Sequence, residues 1–382
     1  MIQIIFWTSV GFVLYAYFGY PAALMALSVV RHRRVKKGSS TPRVSFIITA
    51  HNEESRIREK IENTLAQDYP ARVLEIIVAS DCSTDGTDRV VQSYAERVRL
   101  IRAPQRNGKE AAQLLAVQAA AGDVLVFSDV ATSLSTDGIS SIVRNFDDPT
   151  VGCVSSIDRF IDPDGRISGE GAYVRYEMFL RLLETRVNTL VGLSGSFFAA
   201  RREVCRRWAP DRQSDFSTVM NSVELGLRAV LDPDSAGYYR NIVDDSKERQ
   251  RKIRTVVRGM AVMSKNWHML NPFRYGLFSW QLMSHKLCRW LVPVAMTLAL
   301  ASNTVLITRS DLYTTVFILQ LGFYAAALGG ARTRVGLLRL PSFLVVANVA
   351  ILTAWFQYAR GERFTTWLPS ERTAALPEGG AR

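Results

Sequence analysis

The acids of this chain best placed for chemistry stand at the ends of apolar runs. Val124-Leu125-Val126-Phe127-Ser128 reads as a buried parallel strand, and it delivers Asp129 at its carboxyl end. In an open α/β sheet ligands sit just outside the carboxyl ends of the strands, so a carboxylate there is positioned to meet a bound ligand. Two further runs end in polar groups, at Thr49-Ala50-His51-Asn52-Glu53 and at Ser80-Asp81, so one sheet edge carries a rim of acids and amides. Asp, Ser and Thr also make ordinary strand-end turns, so no one of these stretches decides the matter alone.

The elements that must position this rim alternate along the chain. Strands are expected at Val44 to Thr49, Leu74 to Ser80, Arg99 to Arg102 and Val124 to Ser128. Helices are expected between them, at Glu53 to Gln67, Gly86 to Arg97 and Gly108 to Ala121. That alternation argues a parallel sheet covered on both faces. Beyond Asp137 the pattern loosens: a strand at Val151 to Ser156, an amphipathic helix at Glu170 to Asn188, a small, turn-rich stretch at Gly192 to Ala200, a helix at Asp215 to Val230 and a basic stretch at Lys247 to Val262.

Apolar segments flank this region. The 382 residues suffice for one large domain or two ordinary ones. Their mean hydropathy of +0.05 averages a soluble part with membrane spans. Ile4 to Val30 carries no charge, and its roughly 27 residues exceed the ~20 needed to cross a bilayer. Arg31, His32, Arg33, Arg34, Lys36 and Lys37 follow, which by the positive-inside rule puts the next region in the cytoplasm. No small-residue cleavage site follows a short apolar core, so an uncleaved span is expected rather than a signal peptide. Trp267, Phe273, Tyr275, Phe278 and Trp280 are interleaved with cations, as in helices lying at a membrane interface. Leu291 to Thr308 and Leu312 to Gly330 read as spans, with a cytoplasmic return marked by Arg332, Arg334 and Arg339. Leu340 to Tyr358 is interrupted by Pro341 and Asn348, which leaves the side of the tail open. The expected division is 1–30 a transmembrane helix, 31–42 a basic linker, 43–264 the cytoplasmic domain (43–136 and 137–264 its halves), 265–285 interfacial helices, 286–358 two or three spans and 359–382 a tail.

The net charge of +12 collects beside the apolar segments, which favours anionic lipid over nucleic acid. Cys82, Cys153, Cys205 and Cys288 show neither metal-ligand spacing nor a disulfide framework, which suits a reducing compartment. No Gly-x-Gly-x-x-Gly follows the first strand, which disfavours a dinucleotide-dependent dehydrogenase.

Four stretches in order, Ile47 to Glu54, Val78 to Thr87, Arg106-Asn107-Gly108-Lys109 and Phe127 to Ala131, resemble the nucleotide-sugar half of the family 2 glycosyltransferases of GT-A fold. Ser194-Gly195-Ser196-Phe197-Phe198 is similar to the acceptor-side glycine motif of that family, Ser214-Asp215 to the pair carrying its general base, and Ser284 to Trp290 to the membrane entry of its polysaccharide-making branch. The resemblance implies an α/β GT-A domain, Rossmann-like, with α-helical transmembrane segments. It implies that Ala50, Asn52, Glu53, Asp81, Asp85, Lys109, Ser128 and Asp129 bind the nucleotide sugar, with Asp81 at the base. Gly195, Ser196, Arg251 and Arg254 would serve the acceptor and the diphosphate, and Asp215 would be the catalytic base.

A strand-end Asp can hold a divalent cation, Mg²⁺ or Mn²⁺, against diphosphate oxygens, and Asp129 is the candidate. The family usually shows Asp-x-Asp there, whereas this chain reads Asp129-Val130-Ala131, so metal use rests on one acid. The Gln-x-x-Arg-Trp motif of processive members is only approximated by Arg251 to Thr255, which counts against long-chain synthesis. A base on the acceptor side with direct displacement would invert the anomeric carbon. The expected activity is transfer from a nucleotide-diphospho-sugar, a UDP-sugar first, to a growing surface polysaccharide or lipid-linked acceptor, by a multi-pass protein of a bacterial-type inner membrane. An accessory membrane subunit is compatible with this. The alternatives are single-sugar transfer to polyprenyl phosphate and a membrane partner of the same fold that has lost turnover.

Overall fold

The structure, a computed structural model, describes residues 1–161, 172–240, 245–330 and 336–364. The start of the helix expected at Glu170, the return at Arg332 and Arg334, and the end of the tail lie outside the described residues. Contacts divide the chain into a helical unit, Met1–Val29, Asp244–Ala261 and Trp267–Arg363, and a sheet unit built mainly from Val30–Val243 with Val262–Asn266.

In the sheet unit the strands are β1 (Val44–Ala50), β2 (Leu74–Ser80), β3 (Val98–Arg102), β4 (Val124–Asp129), β5 (Ser133–Leu134), β6 (Val151–Ile161), β7 (Phe197–Arg201) and β8 (Arg228–Arg240). They form one sheet in the order β3-β2-β1-β4-β7-β6-β8-β5. The β3-β2-β1-β4 half is parallel and brings Ala50 level with Ser80, and Thr49 level with Asp129, so the polar strand ends share one edge. Gly122 lets the chain enter β4 close to β1: a Cβ there would lie 2.4 Å from the Ser45 nitrogen.

The other half departs from a wholly parallel sheet. β7 pairs antiparallel with both β4 and β6, while β6 and β8 run parallel. The stretch expected to be turn-rich thus ends in a central strand, because Phe197, Phe198, Ala199 and Ala200 are buried on both faces. Phe127 of β4 stacks on its cross-strand partner Phe198 at 4.8 Å and on Trp208 at 4.7 Å, which joins the two halves. The helix expected over Asp215 to Val230 spans only Ser214–Glu224. Gly226 takes φ +75, its N–H reaches the Val223 carbonyl, and the Leu227 N–H reaches that of Ser222, a glycine-capped end that releases the chain into β8.

In the helical unit four helices are long and apolar enough to cross a membrane: Ile2–Val30, Leu277–Leu306, Asp311–Gly330 and Pro341–Ala359. The first contains a π-helical turn at Tyr15–Gly19 and the second another at Met283–Cys288. The second begins nine residues before the expected boundary at 286, since the helix runs on from Leu277. Only Trp267–Leu270 and Pro272–Tyr275 remain as separate short turns, ended by Gly276 at φ +56. The last helix, Gly336–Ala359, continues through Pro341. Asn348 does not interrupt it, because its amide donates to the Leu344 carbonyl at 2.8 Å and to the Tyr17 hydroxyl at 3.0 Å.

Candidate active site

The carboxyl ends of β1 and β2 turn sharply through two residues of positive φ, Asn52 at 53° and Cys82 at 54°. Asn52 tolerates this conformation and fixes it: its Oδ1 accepts from the Thr84 N–H at 2.8 Å, and its Nδ2 donates to Thr84 Oγ1. The two loops are thereby tied together. Asp85 strengthens the tie by accepting from the N–H groups of Glu54 and Thr87 and from the Thr87 hydroxyl. Burial raises the Asp85 pKa, but these hydrogen bonds outweigh it and hold the carboxyl below its usual range. Glu53 is buried, and its carboxylate receives Arg56 at 2.6 Å.

Asp81 is fully buried. Its N–H donates to the Ala50 carbonyl, and its carboxylate accepts from the backbone N–H groups of Asn107 at 3.0 Å and Gly108 at 3.1 Å. It therefore anchors the loop that opens the helix Lys109–Ala119. Lys109, the first residue of that helix, extends its Nζ to Asp129 Oδ1 at 2.5 Å and to the Gly195 carbonyl at 3.1 Å. Burial works against this ammonium, yet Asp129, Glu110 and Asp215 together hold its pKa above the ordinary lysine value.

Asp129 is in turn bound through its N–H to the Ser196 carbonyl at 3.0 Å. Next to Gly195 stands Asp215, in the first turn of the helix Ser214–Glu224 and past the N-cap, which is Gln213. A Cβ on Gly195 would lie 3.0 Å from Asp215 Oδ2, so the missing side chain is what lets the carboxylate approach the glycine loop. Asp81, Lys109, Asp129, Gly195, Ser196 and Asp215 thus form one connected group. Ala50, Asn52, Glu53 and Asp85 line the adjoining loops. Arg251 and Arg254 lie on the helix Asp245–Lys265 of the helical unit; burial and the like charges of Arg258 and Arg251 lower the Arg254 pKa.

Two groups absent from the motif reading belong to this edge. Asp158, on β6, accepts from the hydroxyls of Ser194 and Ser196 at 2.5 Å each and so holds the glycine loop. Lys60, on the helix Glu54–Leu65, is 2% exposed; its Nζ donates to Ser128 Oγ at 2.7 Å and to the Thr132 carbonyl at 2.5 Å. Burial pulls its pKa down to about 7, with Asp129 opposing the fall. Its signal lay in the spacing: Ile57, Lys60, Ile61 and Thr64 share the buried face of their helix.

The donor set suits a divalent ion only in company. Asp129 is the one acid of its turn, one of its oxygens already holds Lys109, and no group of three His, Cys, Asp or Glu that could hold a metal occurs among the described residues. Its side chain is 31% exposed, so a carboxylate oxygen can reach an ion whose other ligands are diphosphate oxygens and water.

Residues 45–208 match the family described as Glycosyl transferase family 2. The chain is similar to the succinoglycan biosynthesis protein ExoO of Rhizobium meliloti, with 25% identity over 224 residues, 54% of this chain and 63% of that protein. It is also similar to the beta-monoglucosyldiacylglycerol synthase of a Nostoc species, with 24% identity over 221 residues, 54% of this chain and 46% of the relative. The matches thus span about half to just under two thirds of these curated relatives. Among solved structures, a mannosyltransferase from Pyrobaculum calidifontis in complex with GDP-Man and Mn²⁺ superposes with a TM-score of 0.76 and 22% identity, over 95% of this chain and 100% of that one. That likeness is one of fold, the GT-A fold.

Proposed function

We infer from a chain that carries a family 2 glycosyltransferase domain over residues 45–208 that it transfers a sugar, with inversion, from a nucleoside-diphospho-sugar to a hydroxyl of a polysaccharide or lipid-linked acceptor. The observation that carries this reading is the reach of Lys109 from Asp129 to the Gly195 loop beside Asp215, which links the expected donor and acceptor groups. The donor base lies against the Asp81 loop, and its diphosphate lies by Lys109 and Asp129. Lys109 Nζ offsets charge as it builds on the leaving diphosphate. Asp215 takes the proton of the acceptor hydroxyl while that oxygen bonds to the anomeric carbon and the carbon–oxygen bond to the diphosphate breaks. Asp129 would hold a divalent ion, which would supply Lewis-acid stabilisation of the leaving group.

The relatives named above, one in succinoglycan biosynthesis and one a glycolipid synthase, support an acceptor that is a carbohydrate polymer or a lipid. The four apolar helices support a multi-pass protein of an inner membrane, and the cations after Val30 support a cytoplasmic sheet unit. A UDP-sugar is the first donor to test. The experiment is a panel of nucleotide sugars on detergent-solubilised protein, with and without Mg²⁺ or Mn²⁺, followed by product sizing. The wild type is expected to release nucleoside diphosphate and extend an acceptor. Asp215→Asn should bind donor normally and transfer at least a hundredfold more slowly, in line with the ~10²–10⁴ contribution of a general base. Transfer by Asp215→Asn at the wild-type rate would remove the assigned base.

A further inference from the structure

An ammonium enclosed in a protein interior is expensive in desolvation, and an aliphatic residue of similar volume satisfies packing without that penalty. Lys60 is such a group, flanked on its helix by buried Ile57, Ile61 and Thr64 and lying 5.4 Å from the Phe46 ring centroid. Two of its three N–H donors go to the two ends of one short segment, Ser128 at the close of β4 and Thr132 just beyond it. Between them lie Asp129, Val130 and Ala131, the segment that carries one acid where two are usual in the resembled family. Lys109 meets Asp129 at Oδ1, so two lysines from different helices converge on the segment with one carboxylate. Such a segment is poor in metal ligands and well supplied with positive charge, which suits an anion.

We propose that Lys60 is a positioning residue for the donor diphosphate: by pinning Ser128 and Thr132 it fixes the segment that presents Asp129, and with it the Lys109 contact, to the diphosphate. The proposal rests on the nucleotide-sugar reading above and adds a residue to it. A lysine kept only for packing would affect stability and every ligand alike. One kept for the diphosphate separates ligands that carry phosphates from those that do not.

The test is isothermal titration of the full chain in detergent with UDP and uridine, and with GDP and guanosine, reading the pair whose diphosphate binds the wild type more tightly. Lys60→Met removes the charge and both tethers while keeping the volume. It is expected to weaken nucleoside diphosphate binding at least tenfold and to leave nucleoside binding unchanged, because the Asp81 loop does not touch it. Lys60→Gln, which retains one tether, is read by the same ratio and carries the test if the methionine variant does not fold. Diphosphate affinity within twofold of wild type, or an equal loss for nucleoside and diphosphate, overturns the proposal. A wild type that binds neither UDP nor GDP overturns the nucleotide-sugar reading and this inference with it.

Discussion

Gly195 is the position at which a single methyl group should separate binding from turnover. Ordinary contact with a Cβ begins near 3.4 Å, and Gly195→Ala would set its Cβ 3.0 Å from Asp215 Oδ2 and 3.5 Å from Cγ. Relief therefore needs a movement of about 0.4 Å, taken up by the carboxylate or by the glycine loop. A misplacement of about 1 Å at a reacting centre costs of order 10²-fold, so this shift should lower kcat roughly five- to tenfold. Donor binding should stay unchanged, because Asp81 and its partners Asn107 and Gly108 lie on other loops. The assay is initial-rate transfer over a donor range, with acceptor saturating, beside titration of the nucleoside diphosphate. Gly195→Val, with two more methyl groups, should fall further in kcat. Wild-type kcat in the alanine variant, or a loss confined to donor KM, would refute the placement of Asp215 against this loop.

Three other outcomes follow from the same geometry. The Lys60 pKa of about 7 in the fold lies below the ordinary 10.5, so between those values the unfolded chain binds the extra proton and wild-type stability rises with pH; melts at pH 6, 8 and 10 should show Lys60→Met ahead at pH 6, with its lead shrinking toward pH 10, and parallel curves would contradict the buried charge. Asp81→Ala leaves the buried Gly108 N–H without its carboxylate, at about 1–3 kcal/mol, and should lower Tm and speed hydrogen exchange at that amide. Ala131→Asp returns a second acid to the segment and should tighten Mn²⁺ binding in the presence of UDP about tenfold, read by titration with the metal.

The β3-β2-β1-β4 half was legible because its pattern is local. Asn52, Asp81 and Asp129 each come at or just after the end of their own strand, so alternation and strand-end composition suffice to align them on one edge. The other half depends on pairing between distant residues. Phe197–Arg201 becomes a strand because β4 and β6 lie on either side of it, and nothing within the stretch itself says so. Where the helix after Asp215 stops was readable in principle from Gly226, but Leu227, Ala229 and Val230 continued the apolar pattern into what is β8. Lys60 was hidden for a different reason: its partners lie 68 and 72 residues further along, and a lysine on a charged helix ordinarily faces water. The helices long and apolar enough to cross a membrane were plain in composition, while Asn348 looked like an interruption because its partner, Tyr17, is 331 residues away.

The helical unit contains a joint whose meaning reaches beyond anchoring. At the π-helical turn of the first apolar helix, the Tyr15 hydroxyl accepts from the Trp280 indole at 2.9 Å and shares a hydrogen bond with Ser284 at 2.7 Å, where the second helix has its own π-helical turn. A π turn adds a residue to its coil and so rotates every side chain beyond it relative to those before. The two coils are therefore indexed to each other, tooth to notch, at one height. In hydrocarbon a tryptophan N–H or serine hydroxyl deprived of this partner has no water to turn to. An apolar segment of equal length and hydropathy spliced in for residues 2–30 would lack the key that sets the height and rotation of the second helix against the first. The first helix is in this sense a working part, and its sequence carries assembly information that hydropathy alone does not record.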